Sequence, residues 1–399
     1  MKIKLFVFFF VFLFGCQVNN RTENGLKVYS LENTYKADKL RLSELGIKDI
    51  RYLPLETTEE CVIASIDNLY FHDYTYNKIV PTKNSFFFKN SRKIFRFNYS
   101  GEFEKMISPI GRGPAEVDVI FDFDVDVNTN DIYILSAWQR KIKIYNEDGD
   151  YLREINLPND CHCGKLVVHG DKIILYCGNY AQGEFSYIIM DFNGNILKYF
   201  RNNHQFLGKS ISGYAITPEN IFYKVDGKLF KKEAYSDTIY SFAGDSFVPH
   251  MVVDEGDRLI SPEVLILKSR TEICDNYIQP MNLFEFGDFV FYQYIYIYNP
   301  PSNVVYNGFI GSKTGDFAAV FDARTGIVND IDGGPNFQPL FAIGESEVVS
   351  LRDPFFLKSY IKSDDFKNSS PKNPERKREF ERFVNSLEET DNPVLIFAK

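Results

Sequence analysis

The feature that most constrains the fold is a strand–turn–strand unit that recurs through the middle of the chain. Five segments each contain an alternating apolar strand, a glycine-bearing turn and a second strand: 93–107, 141–155, 187–200, 237–251 and 317–331. The first four units recur about every 45–50 residues, an interval typical of propeller blades. A helical repeat would show apolar residues at a 3.6-residue period, which this part of the sequence lacks.

The number of blades follows from the strands between these turns. The clearest unit predicts four strands, at 121–127, 131–136, 141–146 and 151–155. Phe, Tyr, Ile and Val dominate them, as expected for sheets packed face to face. The longer gap before the last unit contains one clear strand pair, 279–286 and 288–296, so we count one blade with insertions there. The sequence predicts an all-β, six-bladed β-propeller, with seven blades as the alternative.

The chain ends are expected to close the ring. The last blade has strands at 337–343, 347–352 and 393–398 but lacks a fourth strand. Segment 49–56 can supply it, which would leave no open sheet edges between the first and last blades.

A helical insertion at 353–391 interrupts this last blade. Asp353-Pro354 and Asn373-Pro374 each offer an N-cap followed by proline at the first helical position. In the second segment Phe380, Phe383, Val384 and Leu387 form one apolar stripe. We therefore predict two short helices, the second of which packs on the propeller.

The N-terminus reads as a lipoprotein signal. Lys2 and Lys4 precede an apolar stretch that ends in Leu13-Phe14-Gly15-Cys16. The stretch is too short to span about 30 Å of hydrocarbon, and a small residue before cysteine suits cleavage by signal peptidase II. We predict a signal peptide at 1–15 and lipidation of Cys16; an ordinary secretory signal is the alternative.

Three segments follow from this interpretation: the signal peptide, a lipidated cysteine with a polar tether at 16–45, and the propeller at 46–399. Gln17 rather than aspartate follows Cys16, which favours the outer membrane and leaves the leaflet open. The formal net charge of −9 disfavours nucleic acid as a partner. The expected partner is the membrane, through the lipid anchor.

A resemblance supports this organisation. The run 110–155 resembles an NHL-type repeat. Together with Cys16, YLPLETT (52–58) and DNPVLIF (391–397), it makes the mature chain similar to the six-bladed β-propeller lipoproteins of Bacteroidota. The resemblance implies the fold and an envelope location, and it implies no catalytic residues.

Two clusters invite a metal interpretation. Cys161, His162 and Cys163, with Cys177 further on, lack the spacing of a zinc site, so a local disulfide to Cys177 or buried thiols are favoured.

Asp122, Asp124 and Asp126 alternate along one strand. Ligands on one strand diverge, whereas Ca²⁺ needs six to eight oxygens, so carboxylates that are solvated or paired with Tyr or Lys are expected instead. We predict no metal and no cofactor.

Candidate ligand-binding residues come from connection lengths. If the four strands of a blade are called a to d in chain order, the long connections at 254–278, 297–316 and 353–391 all belong to the side of the b–c and d–a turns. Long loops on one side of a rigid ring commonly bind ligands. Shorter connections on this side carry the candidate residues Arg112, Glu116, Trp138 and Arg140. A guanidinium suits carboxylate or sugar ligands and an exposed indole suits sugar. The alternatives are a purely structural glycine turn around Arg112 and a Trp138 wedged between blades.

Two functions remain open at this point. The first is a binding or scaffold protein for a glycan, a peptide or a partner protein of the envelope on the loop-rich side. The second is a metal-dependent hydrolase or lyase with its site in the central channel. The five histidines show no ligand spacing and no G-x-S-x-G motif occurs, so binding is favoured.

Overall fold

The computed structural model describes residues 21–23, 25–63, 77–107, 109–158, 162–178, 183–205, 216, 218–299 and 303–399. Six sheets, each of at least four strands, form the blades of a β-propeller. Within each blade the strands are called a to d from the central axis outward. Adjacent strands are antiparallel except where the N-terminal segment joins an outer edge. The six-bladed fold predicted from the sequence is therefore confirmed.

The strands follow one another along the chain with few interruptions. The N-terminal strands are β1 (Arg21–Glu23), β2 (Leu26–Ser30), β3 (Tyr35–Lys36) and β4 (Ile50–Pro54). Blade 1 contains β5 (Asn77–Pro81), β6 (Ser85–Asn90), β7 (Lys93–Asn98) and β8 (Phe103–Ile107). Blade 2 contains β9 (Asp122–Val125), β10 (Ile132–Ser136), β11 (Lys141–Tyr145) and β12 (Tyr151–Asn156). Blade 3 contains β13 (Cys163–His169), β14 (Lys172–Cys177), β15 (Phe185–Asp191) and β16 (Ile196–Arg201).

The remaining blades carry the insertions. Blade 4 contains β17 (Asn220–Val225), β18 (Lys228–Glu233), β19 (Thr238–Ala243) and β20 (Ser246–Asp254). Blade 5 contains β21 (Gln279–Phe286), β22 (Phe289–Asn299), β23 (Asn303–Ser312) and β24 (Ala318–Asp322). Blade 6 contains β25 (Phe341–Ile343), β26 (Glu347–Arg352) and β27 (Val394–Ala398), with β4 as its outermost strand.

The apolar residues of these strands form cores between neighbouring blades. Phe123 and Val125 of blade 2, for example, pack with Phe87 and Ile94 of blade 1. Successive side chains of a strand point to opposite faces, so each blade contributes to the core on both of its sides. Burial between blades explains the aromatic and β-branched composition.

The ring closes through the two ends of the chain. Strand β27 pairs with β26 on one side and with β4 on the other, from Val394 opposite Pro54 to Ala398 opposite Ile50. All five residues of β27 are buried. The predicted pairing of 49–56 with 393–398 is confirmed.

The N-terminal segment lies along the propeller edge, where the sequence led us to expect a tether at 16–45. Strand β2 pairs in parallel with β20 of blade 4, and β3 pairs in parallel with β24 of blade 5. Tyr29, Leu40 and Leu42 of this segment are buried. Burial of these side chains stabilises residues 26–45 against the outer strands. Cys16 and residues 17–20 lie outside the described residues.

Among the described residues, α-helices occur in two connections, and a short 3-10 helix, Leu42–Leu45, lies in the N-terminal segment. The helices are α1 (Pro262–Leu267), α2 (Arg270–Asn276), α3 (Pro354–Lys362), α4 (Asp364–Asn368) and α5 (Pro374–Ser386). The first helix expected in 353–391 is divided at Ser363, whose hydroxyl accepts a hydrogen bond from the Phe366 amide and starts α4. Phe380 and Val384 of α5 are buried, and the Phe380 ring lies 4.8 Å from that of Tyr52, so α5 packs on the propeller. Within the described part of the chain, no helix has the length and apolarity to cross a membrane.

Candidate functional site

The a strands of all six blades surround a cavity of about 720 Å³ on the propeller axis. Its wall also includes exposed a–b turn residues, among them Asn128, Gly170, Asp226 and Gly344. The cavity therefore opens on the face that carries the a–b and c–d turns, which we call the short-turn face. The opposite face, with the b–c and d–a connections, is called the loop-rich face.

Polar side chains of the wall bind the free edges of neighbouring inner strands. The Lys78 ammonium in blade 1 donates to the Phe123 carbonyl of blade 2 at 2.6 Å and to the Asp122 carboxylate at 2.8 Å. Asp122 accepts in turn from the Leu166 amide of blade 3 at 2.9 Å. An innermost strand has no further strand to pair with, so these side chains satisfy backbone groups that would otherwise face the cavity.

Asp124 repeats this arrangement one step along the strand. Its carboxylate accepts from the Val168 amide at 2.8 Å and from the Lys224 ammonium of blade 4 at 2.7 Å. Lys224 thus reaches past blade 3 to blade 2. Asp126, at the end of the strand, accepts from the backbone and side-chain nitrogens of Asn128. Of the expected alternatives, solvated carboxylates or pairing with Tyr or Lys, the structure shows lysine pairs for Asp122 and Asp124.

His169 is the histidine of the described cavity wall. Burial lowers its pKa, and the nearby ammonium of Lys224 lowers it further, while the Asp124 carboxylate acts in the opposite direction. The Phe242 ring packs edge-on against the imidazole at 5.9 Å. His169 is therefore neutral near pH 7 and can donate or accept one hydrogen bond at the cavity mouth.

Apolar side chains complete the wall. Phe222 of blade 4 and Phe341 of blade 6 are partly exposed, and Leu283 and Phe284 of blade 5 are buried beside them. The cavity thus combines aromatic faces with two lysine–aspartate pairs. Such a surface can hold a ligand that has both polar and apolar parts.

The three lysines of this wall, Lys78, Lys165 and Lys224, and its histidine were not predicted from the sequence. Lys78, Lys224 and His169 each lie on the a strand of a different blade, and their sequence neighbours are ordinary for a strand. The available signal was a charged residue on an innermost strand, which must face either a neighbouring blade or the channel. The aspartates were noticed because three of them alternate within one strand.

The cysteine cluster does not form a metal site in the described residues. Cys163 and Cys177 are buried and lie opposite each other on β13 and β14, with their Sγ atoms 2.8 Å apart. His162 is exposed, and Cys161 lies outside the described residues. Across the described part of the chain, no three His, Cys, Asp or Glu side chains are grouped to hold a metal ion.

The predicted ligand residues lie together on the loop-rich face and outside the cavity wall. Glu116 braces its own turn: its carboxylate accepts from the Gly113 amide at 2.6 Å, and a Cβ at Gly111 would lie 1.9 Å from it. Arg112 is exposed at the tip of this turn. The Gln139 amide donates to the Glu116 carbonyl at 3.3 Å, which holds the turn beside the b–c turn of blade 2.

Trp138 and Arg140 occupy that b–c turn. Trp138 is 73% exposed and touches the Phe121 ring edge-on, with the centroids 5.8 Å apart. Arg140 has a positive φ of 55° and donates to the Pro158 carbonyl. Arg140 is therefore engaged in the turn, whereas Arg112 and Trp138 present their side chains to solvent.

The long connections differ in form. Segment 254–278 carries α1 and α2, and 353–391 carries α3 to α5. The connection expected at 297–316 is largely the extension of β22 and β23 into a long hairpin, whose tip at 300–302 lies outside the described residues.

Comparisons with known proteins concern the fold and the family. A Bacteroides fragilis protein described as exported is 19% identical to this chain, with a TM-score of 0.67, and the match covers 93% of this chain and 99% of that one. A member of the DUF4221 family from Bacteroides vulgatus is 11% identical, with a TM-score of 0.49 and coverage of 88% and 96%. Virginiamycin B lyase from Staphylococcus aureus is 12% identical, with a TM-score of 0.37 and coverage of 75% and 94%.

These identities are too low to transfer a function, and no curated protein matches the chain. The first of the three structures has the same overall fold over nearly its full length. The model of one family, described as Domain of unknown function (DUF4934), matches residues 26–399. That span includes every blade and the N-terminal segment along the propeller edge, and the chain therefore belongs to the DUF4934 family.

Proposed function

We propose that this protein is a lipid-anchored binding protein of the cell envelope and that its ligand occupies the central cavity. The observation that carries the proposal is the cavity itself, about 720 Å³ in volume and open on the short-turn face. Ligand sites in proteins commonly have volumes of about 300–1,000 Å³ and combine apolar walls with a few placed polar groups. The sequence predicted a ligand on the loop-rich face, whereas the cavity opens at the opposite end of the ring.

The wall indicates the chemical class of ligand. The side chains of Lys78 and Lys224 are 20% and 31% exposed, although each is paired with a nearly buried aspartate. An ammonium has three donors, so each lysine can keep its aspartate and also donate to a ligand. Phe222 and Phe341 offer partly exposed rings on the same wall. A matching ligand has hydroxyl or carboxylate groups beside an apolar face, as an oligosaccharide or a short peptide does.

The envelope location rests on the N-terminus. The charged start, the apolar stretch and Gly15-Cys16 predict a lipoprotein, and Gln17 favours the outer membrane. The description of the Bacteroides fragilis neighbour as exported supports the same compartment. The resemblance to NHL-like propeller lipoproteins agrees with this proposal.

A hydrolase or lyase in the same channel is the second candidate, and His169 is the observation that favours it. A neutral imidazole at a cavity wall can accept a proton from a substrate. Metal analysis of the purified protein tests the metal-dependent form of this candidate. Under the binding proposal we expect substoichiometric metal, whereas one tightly held transition metal per chain would favour the enzyme.

Ligand binding is tested with Lys224→Met and a matched control. Chito-oligosaccharides and tri- to hexapeptides are screened against the purified protein by thermal shift, and affinities of hits are measured by calorimetry. Loss of a charged hydrogen bond should weaken binding roughly ten-fold or more. Lys172→Met is the control, because its ammonium bonds Asp171 at 2.7 Å and is not part of the cavity wall. Equal affinities for Lys224→Met and the parent protein would place the ligand elsewhere.

A further inference from the structure

The path of the N-terminal segment shows which face of the propeller lies nearer to Arg21. Strand β2 runs parallel to β20, which starts at the c–d turn and ends toward the d–a connection. Strand β1 runs antiparallel to β2 and pairs Arg21 with Val28, which lies at the level of Val252. Traced from Glu23 back to Arg21, strand β1 therefore runs toward the loop-rich face.

The anchor is close to this exit point. Only the residues from Cys16 to Arg21 separate the predicted lipid from the propeller edge, and an extended chain of this length spans about 17 Å. Strand β20 has nine residues, about 30 Å at the usual rise of a strand. A lipid on Cys16 is thus within reach of the loop-rich face, whereas the short-turn face lies at the opposite end of β20.

The three most exposed apolar side chains of the described residues lie on the loop-rich face. On the loop-rich face Leu267 is 74% exposed, Trp138 73% and Phe355 62%. Elsewhere on this face the exposed apolar residues of the described chain are Val62, Val119, Val305 and Phe356. On the short-turn face, in the described ranges, they are Val127 at 51% and Phe317 at 39%. Four further exposed residues lie on outer strands beside the c–d turns of the short-turn face, at 38–52% exposure: Leu152, Ile196, Leu197 and Val248. Tyr199 lies further along an outer strand and Tyr35 lies in the N-terminal segment.

These side chains are not needed to hold their own elements in place. Helix α1 is fixed by Leu265, which is 1% exposed, so Leu267 at its end is free to point outward. Helix α3 is fixed in the same way by the fully buried Leu357, while Phe355 lies in its first turn. Trp138 adds an indole, and indoles concentrate at the interface between headgroups and acyl chains.

We propose that the loop-rich face lies on the membrane surface, with Trp138, Leu267 and Phe355 inserted into the lipid headgroup region. The inference rests on lipidation of Cys16, which is part of the proposed function. The anchor restricts the propeller to within a short tether of the bilayer, so modest apolar contacts are sufficient to orient it. The cavity mouth then points away from the membrane, where a ligand can enter.

The experiment uses the single tryptophan of the chain. The lipidated protein is reconstituted into phosphatidylethanolamine–phosphatidylglycerol vesicles with or without brominated acyl chains, and lipidation is first verified by mass spectrometry. We expect brominated lipid to quench Trp138 fluorescence. In the variant Trp138→Phe with Phe317→Trp, the tryptophan lies on the short-turn face and should not be quenched.

A matched pair of charge substitutions tests the apolar contacts. Phe355→Glu combined with Leu267→Glu should reduce the quenching of Trp138 at least two-fold, while Phe317→Glu combined with Val127→Glu on the short-turn face should leave it unchanged. Circular dichroism checks that each variant is folded.

The outcomes separate the orientation from the anchor. Verified lipidation with an unquenched Trp138 would overturn the orientation and leave the apolar residues to a protein partner. Quenching at position 317 in place of Trp138 would reverse the orientation. A Cys16 that carries no lipid would contradict the anchor in the proposed function and remove the basis of this inference.

Discussion

Two regions of the propeller use lysine–carboxylate pairs in different surroundings. In the cavity, Lys78 and Lys224 pair with Asp122 and Asp124 and keep part of their side chains exposed. Between blades 4 and 5, Lys232 pairs with Glu255 at 2.8 Å, and both side chains are 0% exposed. The distances between ammonium and carboxylate are similar in the two regions. Burial of the side chains is what distinguishes them.

Burial changes what the buried pair contributes. The Tyr292 hydroxyl also donates to Glu255, yet burial raises the pKa of this carboxyl, with Lys232 acting in the opposite direction. On the other side of blade 4, Lys231 pairs with Glu233 under the rings of Tyr187 and Phe247, and burial lowers the pKa of Lys231.

The comparison separates two roles for the same chemistry. Removing one member of a buried pair leaves an uncompensated charge in a low dielectric, whereas solvent screens a partly exposed pair. The buried pairs of blade 4, Lys232–Glu255 and Lys231–Glu233, should therefore determine stability, whereas the cavity pairs should remain available to a ligand.

The largest effect is expected for Lys232→Met. Glu255 would lose its ammonium partner, and the free energy of unfolding should fall by about 3–5 kcal/mol at pH 7. The loss should shrink as the pH falls toward 5, because protonation removes the uncompensated charge of a carboxyl whose folded pKa is raised. Urea unfolding at both pH values measures this. Adding Glu255→Gln is the control and should recover most of the stability; no recovery would assign the loss to packing.

A smaller loss is expected for Lys231→Met. Glu233 would keep the Tyr187 hydroxyl at 2.7 Å and have His204 at 3.5 Å, so its charge would not be left alone. We expect a decrease of about 2–3 kcal/mol in urea unfolding. Lys228→Met, at an exposed position of the same strand, should change stability little. A loss as large as that of Lys232→Met would show that these partners do not compensate.

Lys224→Met should destabilise the protein less than either substitution in the buried pairs of blade 4. Its side chain is 31% exposed and Asp124 retains the Val168 amide, so we expect at most about 1 kcal/mol of destabilisation. Thermal unfolding of this variant and of Lys232→Met under the same conditions makes the comparison. Equal losses of stability would mean that the cavity pair contributes as much to stability as the buried Lys232–Glu255 pair.

The smallest effect concerns pH and His169. Its folded pKa lies below the ordinary value, so the unfolded chain binds the proton more readily. Stability should therefore fall as the pH drops below about 6.5, the usual pKa of histidine. His169→Gln should reduce this slope between pH 7 and 5 in urea unfolding. An unchanged slope would assign it to other groups.

Several elements could be predicted from local sequence. Blade 2 lies within one or two residues of its predicted strands, because alternating apolar residues and turn glycines are adjacent in the chain. Closure by 393–398 was predictable because an unfilled fourth strand leaves an open edge. The path of residues 26–45 was not, since pairing to blades 4 and 5 depends on edges formed more than 200 residues away in sequence.

The sequence by itself determined the blade architecture and the apolar stripe of α5, because each depends on a period that neighbouring residues encode, and it indicated the closure strands because the last blade lacked a fourth strand. Tertiary structure alone decided that Lys78, Lys224, Asp122 and Asp124 meet across three blades, and that the cavity opens on the short-turn face. A propeller brings one strand from each blade to a common axis. The side chains that face one another there come from distant segments, and no local pattern records their pairing.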